Sequence, residues 1–126
     1  MKLHLLIIED SEDDVLLITD QLRSGGFDPI IKTVDTPADF LAALSTAKWD
    51  VILSDYRLPD LTGLEAVQML RTQDRKTPFI LVCGTIRESQ IHEVLQAGAN
   101  AYVSKDNPAS LVPTIQRLCS FTFING

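Results

Sequence analysis

Three carboxylates and one amine carry the chemistry open to this chain. Glu9 and Asp10 close the apolar run LHLLII, Asp55 closes VILS, and Lys105 closes AYVS. Acids gathered at one place repel one another and raise each other's pKa unless a divalent cation intervenes. Magnesium favours oxygen ligands and typically takes one or two carboxylates plus waters and phosphate oxygens. Asp10 and Asp55 are therefore candidate direct ligands, with Glu9 acting through water. The backbone carbonyl of Arg57, two residues beyond Asp55, is a candidate third protein ligand. An ammonium at the same place, here Lys105, neutralises charge on a carboxylate or phosphoryl group. A carboxylate nucleophile, a metal site and a lysine together describe phosphoryl transfer to Asp55. A blander reading has the acids from Glu9 to Asp14 complementing the positive end of a helix, with Asp55 opening a turn. From spacing alone the two readings stand about even, and Lys105 reaching the same edge favours the first.

That convergence requires a scaffold, and the chain supplies its pattern. Five short apolar runs, at residues 3–8, 28–34, 51–54, 78–83 and 101–104, are each followed by an amphipathic segment. Such alternation marks parallel strands with helices on both faces. Val51, Ile52 and Leu53 are apolar on both faces, as a central buried strand demands. Asp55 then stands at the carboxyl end of that strand, the edge where open α/β sheets bind ligands. Ser11 is the expected cap of the first helix, which shows Val15, Ile18 and Leu22 and stops at Gly25 and Gly26. The second helix starts near Pro37 and is expected to bury Phe40, Leu41 and Leu44. The third carries Leu64, Val67 and Leu70; the fourth, roughly 88–97, is expected to bury Ile91, Val94 and Leu95. Asn107 and Pro108 read as cap and first-turn residue of the last helix, which shows Leu111, Ile115 and Leu118. Pro113 inside that helix predicts a bend or a short first turn. The expected fold is a three-layer α/β/α sandwich with right-handed crossovers. Strand order 2-1-3-4-5, adopted by analogy, brings Glu9 and Asp10 beside Asp55 at the switch point.

At 126 residues the chain suits one domain, expected over 1–120, with residues 121–126 as a carboxyl-terminal tail. Phe121, Phe123 and Ile124 in that tail continue no helical period, and fit a core cover, a partner contact or a truncation point. A formal charge of -6 disfavours direct nucleic-acid binding by this chain alone. Cys83 and Cys119 lack metal-ligand spacing and fall in apolar runs, which suits buried thiols in a reducing compartment. No apolar run approaches the roughly 20 residues of a membrane span, and the amino terminus lacks a signal sequence pattern. A cytoplasmic location without membrane association is the expectation.

The segments IIED, VILSDYRLPDLTG, PFILVCGT and AYVSK together resemble the receiver domain of two-component response regulators, over about Lys2 to Leu118. The resemblance implies a flavodoxin-like (βα)5 fold. It also implies that Asp55 accepts a phosphoryl group from a phosphohistidine on a sensor histidine kinase or histidine phosphotransfer protein. Magnesium would be held by Asp10, Asp55 and the Arg57 carbonyl, Lys105 would contact the phosphoryl group, and Tyr102 would be the aromatic switch residue. The face of fourth helix, fifth strand and fifth helix would meet an output protein or domain, or a second copy in a homodimer. Such a protein is a magnesium-dependent, self-phosphorylating and self-dephosphorylating switch rather than a turnover enzyme.

Two positions depart from the family pattern. Cys83 stands where receivers carry a Ser or Thr that bonds the phosphoryl oxygen, and a thiol is a weaker donor and a larger atom. Thr85, two residues on, is the second choice for that contact. The expectation is that phosphorylation survives while its coupling to Tyr102 weakens. Asp106 follows Lys105 where many receivers have Pro, so no cis peptide is expected there. Cys83 also supports a rival reading, a phosphorylation-independent pseudo-receiver that only binds protein. A nucleotide or flavin binder needs a phosphate cradle after the first strand, and EDSEDD would repel phosphate there. An aspartate-dependent phosphate hydrolase lacks a second catalytic acid.

Overall fold

The computed structural model describes residues 1–119; the expected tail over 121–126 lies outside the described residues. Strands and helices alternate: β1 (Lys2–Ile8), α1 (Glu12–Ser24), β2 (Asp28–Val34), α2 (Pro37–Thr46), β3 (Val51–Ser54), α3 (Gly63–Arg71), β4 (Phe79–Cys83), α4 (Glu88–Gln96), β5 (Ala101–Ser104) and α5 (Leu111–Leu118). The five strands form one sheet in the order β2-β1-β3-β4-β5, with every pairing parallel. Class and order are those expected from the sequence.

The two-residue period of a strand divides β1 between two cores. Leu6 and Ile8 face one side, with Phe40 of α2, Val67 and Leu70 of α3, and Val94 of α4. Leu5 and Ile7 face the other, with Ile18 and Leu22 of α1 and Ile115 of α5. All four residues of β3 are buried, so apolar side chains on both of its faces hold the strand rigid behind Asp55. Truncating such a residue, for example Leu53→Ala, costs about 2–5 kcal/mol.

Helix boundaries follow capping chemistry. The Ser11 side chain accepts a hydrogen bond from the Asp14 N–H, as expected. Thr36 caps α2 in the same way, and Thr62 and Glu65 form a reciprocal capping box on α3. The last helix differs from the expected cap. The Asn107 side chain makes no capping bond, and a 3-10 turn over Pro108–Ser110 precedes the α-helix. The α-helix starts at Leu111, which puts Pro113 in its first turn, where the missing N–H leaves no intrahelical bond unmade. The expected short first turn is therefore present.

The burial expectations hold for Phe40 and Val94, while Leu44 and Ile91 are only partly buried. Leu41 is exposed, and Ala43 is buried with Phe40 instead. Leu95 is also exposed, because α4 lies at the sheet edge against α3 and β5 and buries a narrow stripe around Val94. Among the described residues no helix is long and apolar enough to cross a membrane.

Candidate functional site

Sheet register places the acids. Ile8 pairs with Ser54, so the next residues, Glu9 and Asp55, leave adjacent strands side by side. The Asp55 N–H donates to the Ile8 carbonyl at 3.0 Å, and the Glu9 N–H donates to the Val34 carbonyl at 3.0 Å. Both acids are thereby tied to the sheet one residue past the strand ends. Buried Ser54 donates its hydroxyl to the Asp55 carbonyl at 2.7 Å. The Tyr56 N–H donates to Asp55 Oδ1 at 2.7 Å, which orients the carboxylate.

Gly63 secures the same point from below. A Cβ on this residue would lie 2.9 Å from the Asp55 carbonyl oxygen and 3.0 Å from the Leu81 side chain, so only glycine allows α3 to start this close. The loop between Asp55 and Gly63 is closed by a bridge between Arg57 and Thr62, and by the Gly63 N–H donating to the Tyr56 carbonyl at 2.8 Å.

Lys105 leaves β5, two strands away from β3. Its N–H donates to the Cys83 carbonyl at 3.0 Å, which fixes its backbone at the end of β4. The four-carbon stem then carries the ammonium across β4 to the acids, a reach that suits lysine. Nζ lies 3.0 Å from Glu9 Oε2, 2.7 Å from Asp14 Oδ2 and 3.2 Å from Asp55 Oδ2. One carboxylate oxygen each from Glu9, Asp10 and Asp55 fall within 4.8 Å of one another. Acids following β1 and β3 and the amine following β5 therefore lie together at one edge of the sheet.

The electrostatics are unbalanced. Burial pushes the Glu9 carboxyl above its ordinary value, the Asp55 charge adds to this, and Lys105 opposes it. Burial alone would lower the Lys105 ammonium, but bonds to Asp14 and Glu9 and the Asp55 charge raise it well above the ordinary lysine value. Lys105 is thus a fixed cation bonded to three carboxylates, with Asp10 beside two of them, so the acids outnumber the amine.

Other expected residues are less closely drawn in. Cys83 is buried, and desolvation, with the Asp55 charge second, pushes its thiol up from 9.0 to about 11. The Tyr102 hydroxyl donates to the Cys83 carbonyl at 3.4 Å, long for an O–H···O bond and correspondingly weak. Thr85 is exposed on the loop after β4. No peptide is cis among the described residues, so the Lys105–Asp106 junction is trans as expected.

Asp14 is the residue that sequence reasoning assigned only to helix capping. Its place three residues after the Ser11 cap sets it one turn into α1, and the acidic run EDSEDD was the available signal. That run does not itself say which acid turns inward.

A (βα)5 sheet with acids from two strands and a lysine from the fifth at one carboxyl edge defines the class. The response regulator receiver domain family model matches residues 5–116, and the chain belongs to that family. It is 28% identical to the chemotaxis protein CheY of Pseudomonas aeruginosa, covering 98% of this chain and all of CheY. It is 38% identical to the transcriptional regulatory protein YkoG of Bacillus subtilis over 81% of this chain, but spans only 44% of YkoG. It spans 16% of the yeast transcription factor Skn7, to which it is 32% identical over 81% of this chain. The receiver domain of a Pseudomonas aeruginosa sensor histidine kinase, whose crystal structure has a magnesium ion coordinated in the active-site cleft, superposes with a TM-score of 0.80. The two are 28% identical, and the match covers 95% of this chain and 99% of that one.

Proposed function

We propose that this chain is a phosphoacceptor switch in a two-component phosphorelay, taking a phosphoryl group on Asp55 from a sensor histidine kinase or histidine phosphotransfer protein. The observation that carries this reading is the single pocket in which Asp55 Oδ2 lies 3.2 Å from Lys105 Nζ beside Glu9 and Asp10. An Asp55 oxygen attacks phosphorus; the new O–P bond forms as the P–N bond of the phosphohistidine breaks, its electron pair returning to the imidazole. The Tyr56 N–H and Lys105 hold the Asp55 carboxylate in a set orientation before attack.

The donor set suits magnesium: three clustered carboxylates, oxygen only, with one ammonium to offset them. Asp10, Asp55 and the Arg57 carbonyl would hold the ion, with Glu9 acting through water. When bound, the ion supplies charge neutralisation at the attacking carboxylate and the phosphoryl oxygens. Lys105 stabilises negative charge on the transferred group.

Phosphorylation adds negative charge and acceptor oxygens at the rim of the sheet. Lys105 and the loop after β4 move toward them, and the change passes through Cys83 and Tyr102 to the face of α4, β5 and α5. Cys83 weakens that coupling: its thiol stays protonated at neutral pH but donates poorly. Thr85 is the second candidate for the same contact. The protein works in the cytoplasm as a switch rather than a turnover enzyme, and its α4-β5-α5 face meets an output protein, output domain or second copy.

Incubation with a small acyl phosphate and magnesium tests the reading by intact mass. Wild type gains one phosphoryl group and Asp55→Asn gains none. No gain by wild type would leave a pseudo-receiver that acts by protein binding alone.

A further inference from the structure

An ammonium carries three N–H donors, and in Lys105 all three are engaged, by Glu9, Asp14 and Asp55. A phosphoryl group on Asp55 presents several new acceptor oxygens close to the same nitrogen. The acyl phosphate linkage also removes charge from the Asp55 carboxylate itself. Lys105 therefore has to redistribute its donors, and the cost of releasing each partner decides how.

Glu9 is an expensive partner to abandon. Its side chain is 2% exposed, and release by Lys105 would leave the Ser11 N–H as its one remaining protein donor. Asp14 differs on each count. Its side chain is 33% exposed, so water can take over the vacated oxygen. It also makes the shortest of the three contacts, 2.7 Å, so in the resting state it competes most directly for the ammonium. Its backbone is held by Ser11, so the carboxylate can swing outward without unwinding α1.

We propose that Asp14 is a resting latch on Lys105: it holds the ammonium in the unphosphorylated protein and is the partner exchanged when a phosphoryl group arrives. Asp14 is a positioning residue, acting on phosphate only through Lys105. This inference rests on the phosphoacceptor reading above and adds a regulatory element to it. The latch opposes activation, and its opening exposes a free carboxylate on the first turn of α1 each time the switch turns on.

Beryllium trifluoride with magnesium, a phosphoryl mimic, provides the test. Asp14→Asn, which removes the competing charge and keeps the side chain's shape, binds the mimic about threefold more tightly than wild type, the order expected of a partly exposed ion pair. Asp14→Glu restores wild-type affinity, an outcome that a general packing defect would not give. In wild type, the nuclear Overhauser contact between the Lys105 ε-methylene and the Asp14 β-methylene disappears when the mimic is added, a measurement that needs no variant. Unchanged or weaker binding by Asp14→Asn, or persistence of that contact, overturns the latch. If wild type binds the mimic no better than Asp55→Asn, the phosphoacceptor reading itself fails. Binding by wild type with no effect of Asp14→Asn removes the latch alone.

Discussion

The two ends of the sheet hold their charges in opposite ways. At the amino-terminal end Arg71 donates to the Gly98 carbonyl at 3.1 Å, the Asp74 carbonyl at 3.0 Å and Asn100 Oδ1 at 3.0 Å. Asn100 Oδ1 also accepts from the Phe79 N–H at 2.9 Å. Asp74 accepts from the Thr77 hydroxyl and from two backbone N–H groups. Burial would raise the Asp74 carboxyl, but these bonds and the Arg71 charge hold it below the ordinary value. Gly98, at φ +122, lets the Arg71 stem pack where a Cβ would lie 2.8 Å from it. The polar atoms of Arg71 and Asp74 are held mainly by neutral backbone and side-chain partners, and the network ties α3 to the loop before β5. At the carboxyl end three carboxylates share one lysine, and a fourth, Asp10, lies beside Glu9 and Asp55. Satisfied polar groups at one end tie elements together, whereas at the other the acids outnumber the amine.

The sharpest way to break this comparison is to remove one charge from each end. Asp55→Asn abolishes phosphoryl labelling, measured by intact mass, without loss of thermal stability, because it relieves repulsion. A drop in stability would mean that the excess at the carboxyl end is already compensated. Next in size is the reactivity of Cys83. With its thiol raised to about 11, the native thiolate fraction at neutral pH is about a hundredfold below that of an exposed cysteine. Alkylation of Cys83, followed by peptide mass, is correspondingly slow until the protein unfolds. The sign for stability follows. Between 9.0 and about 11 the unfolded thiol loses its proton while the native one keeps it, so stability declines as pH rises through that window. Cys83→Ala makes that decline shallower in denaturant titrations.

Magnesium sharpens the comparison from the ligand side. At a hundred times its dissociation constant it stabilises wild type by about 2.7 kcal/mol. Asp10→Asn loses most of that gain, and chelation reverses it. Arg71→Ala at the other end leaves the Gly98 and Asn100 acceptors short of a donor and costs about 1–3 kcal/mol. Phosphoryl labelling persists in that variant. The smallest effect belongs to the exposed Leu95: Leu95→Ser shifts stability by under about 0.5 kcal/mol.

Much of this was legible because strand ends are local features. The apolar runs VILS and AYVS show where Asp55 and Lys105 leave the sheet. What a strand pattern cannot show is which side chains cross between elements. Asp14 read as a helix-capping acid, because only the path of the Lys105 stem across β4 brings an ammonium to it. Leu41 and Leu95 were misjudged for a related reason. A helical period gives a stripe of apolar residues but not the width of surface that its neighbours cover. The Arg71 network has no sequence signal, since its acceptors are two backbone carbonyls and one amide oxygen drawn from two separate loops. Gly63 ends the segment VILSDYRLPDLTG, but its close approach to the Asp55 carbonyl follows from how α3 packs and not from any local pattern.

The most direct measurement is chemical mapping of the phosphoryl site: labelling with an acyl phosphate and magnesium, borohydride reduction of the acyl phosphate to an alcohol, and peptide mass analysis. Reduction confined to Asp55, and absent when magnesium is chelated, is the predicted result. A modified residue elsewhere, or none in folded wild-type protein, would contradict the account.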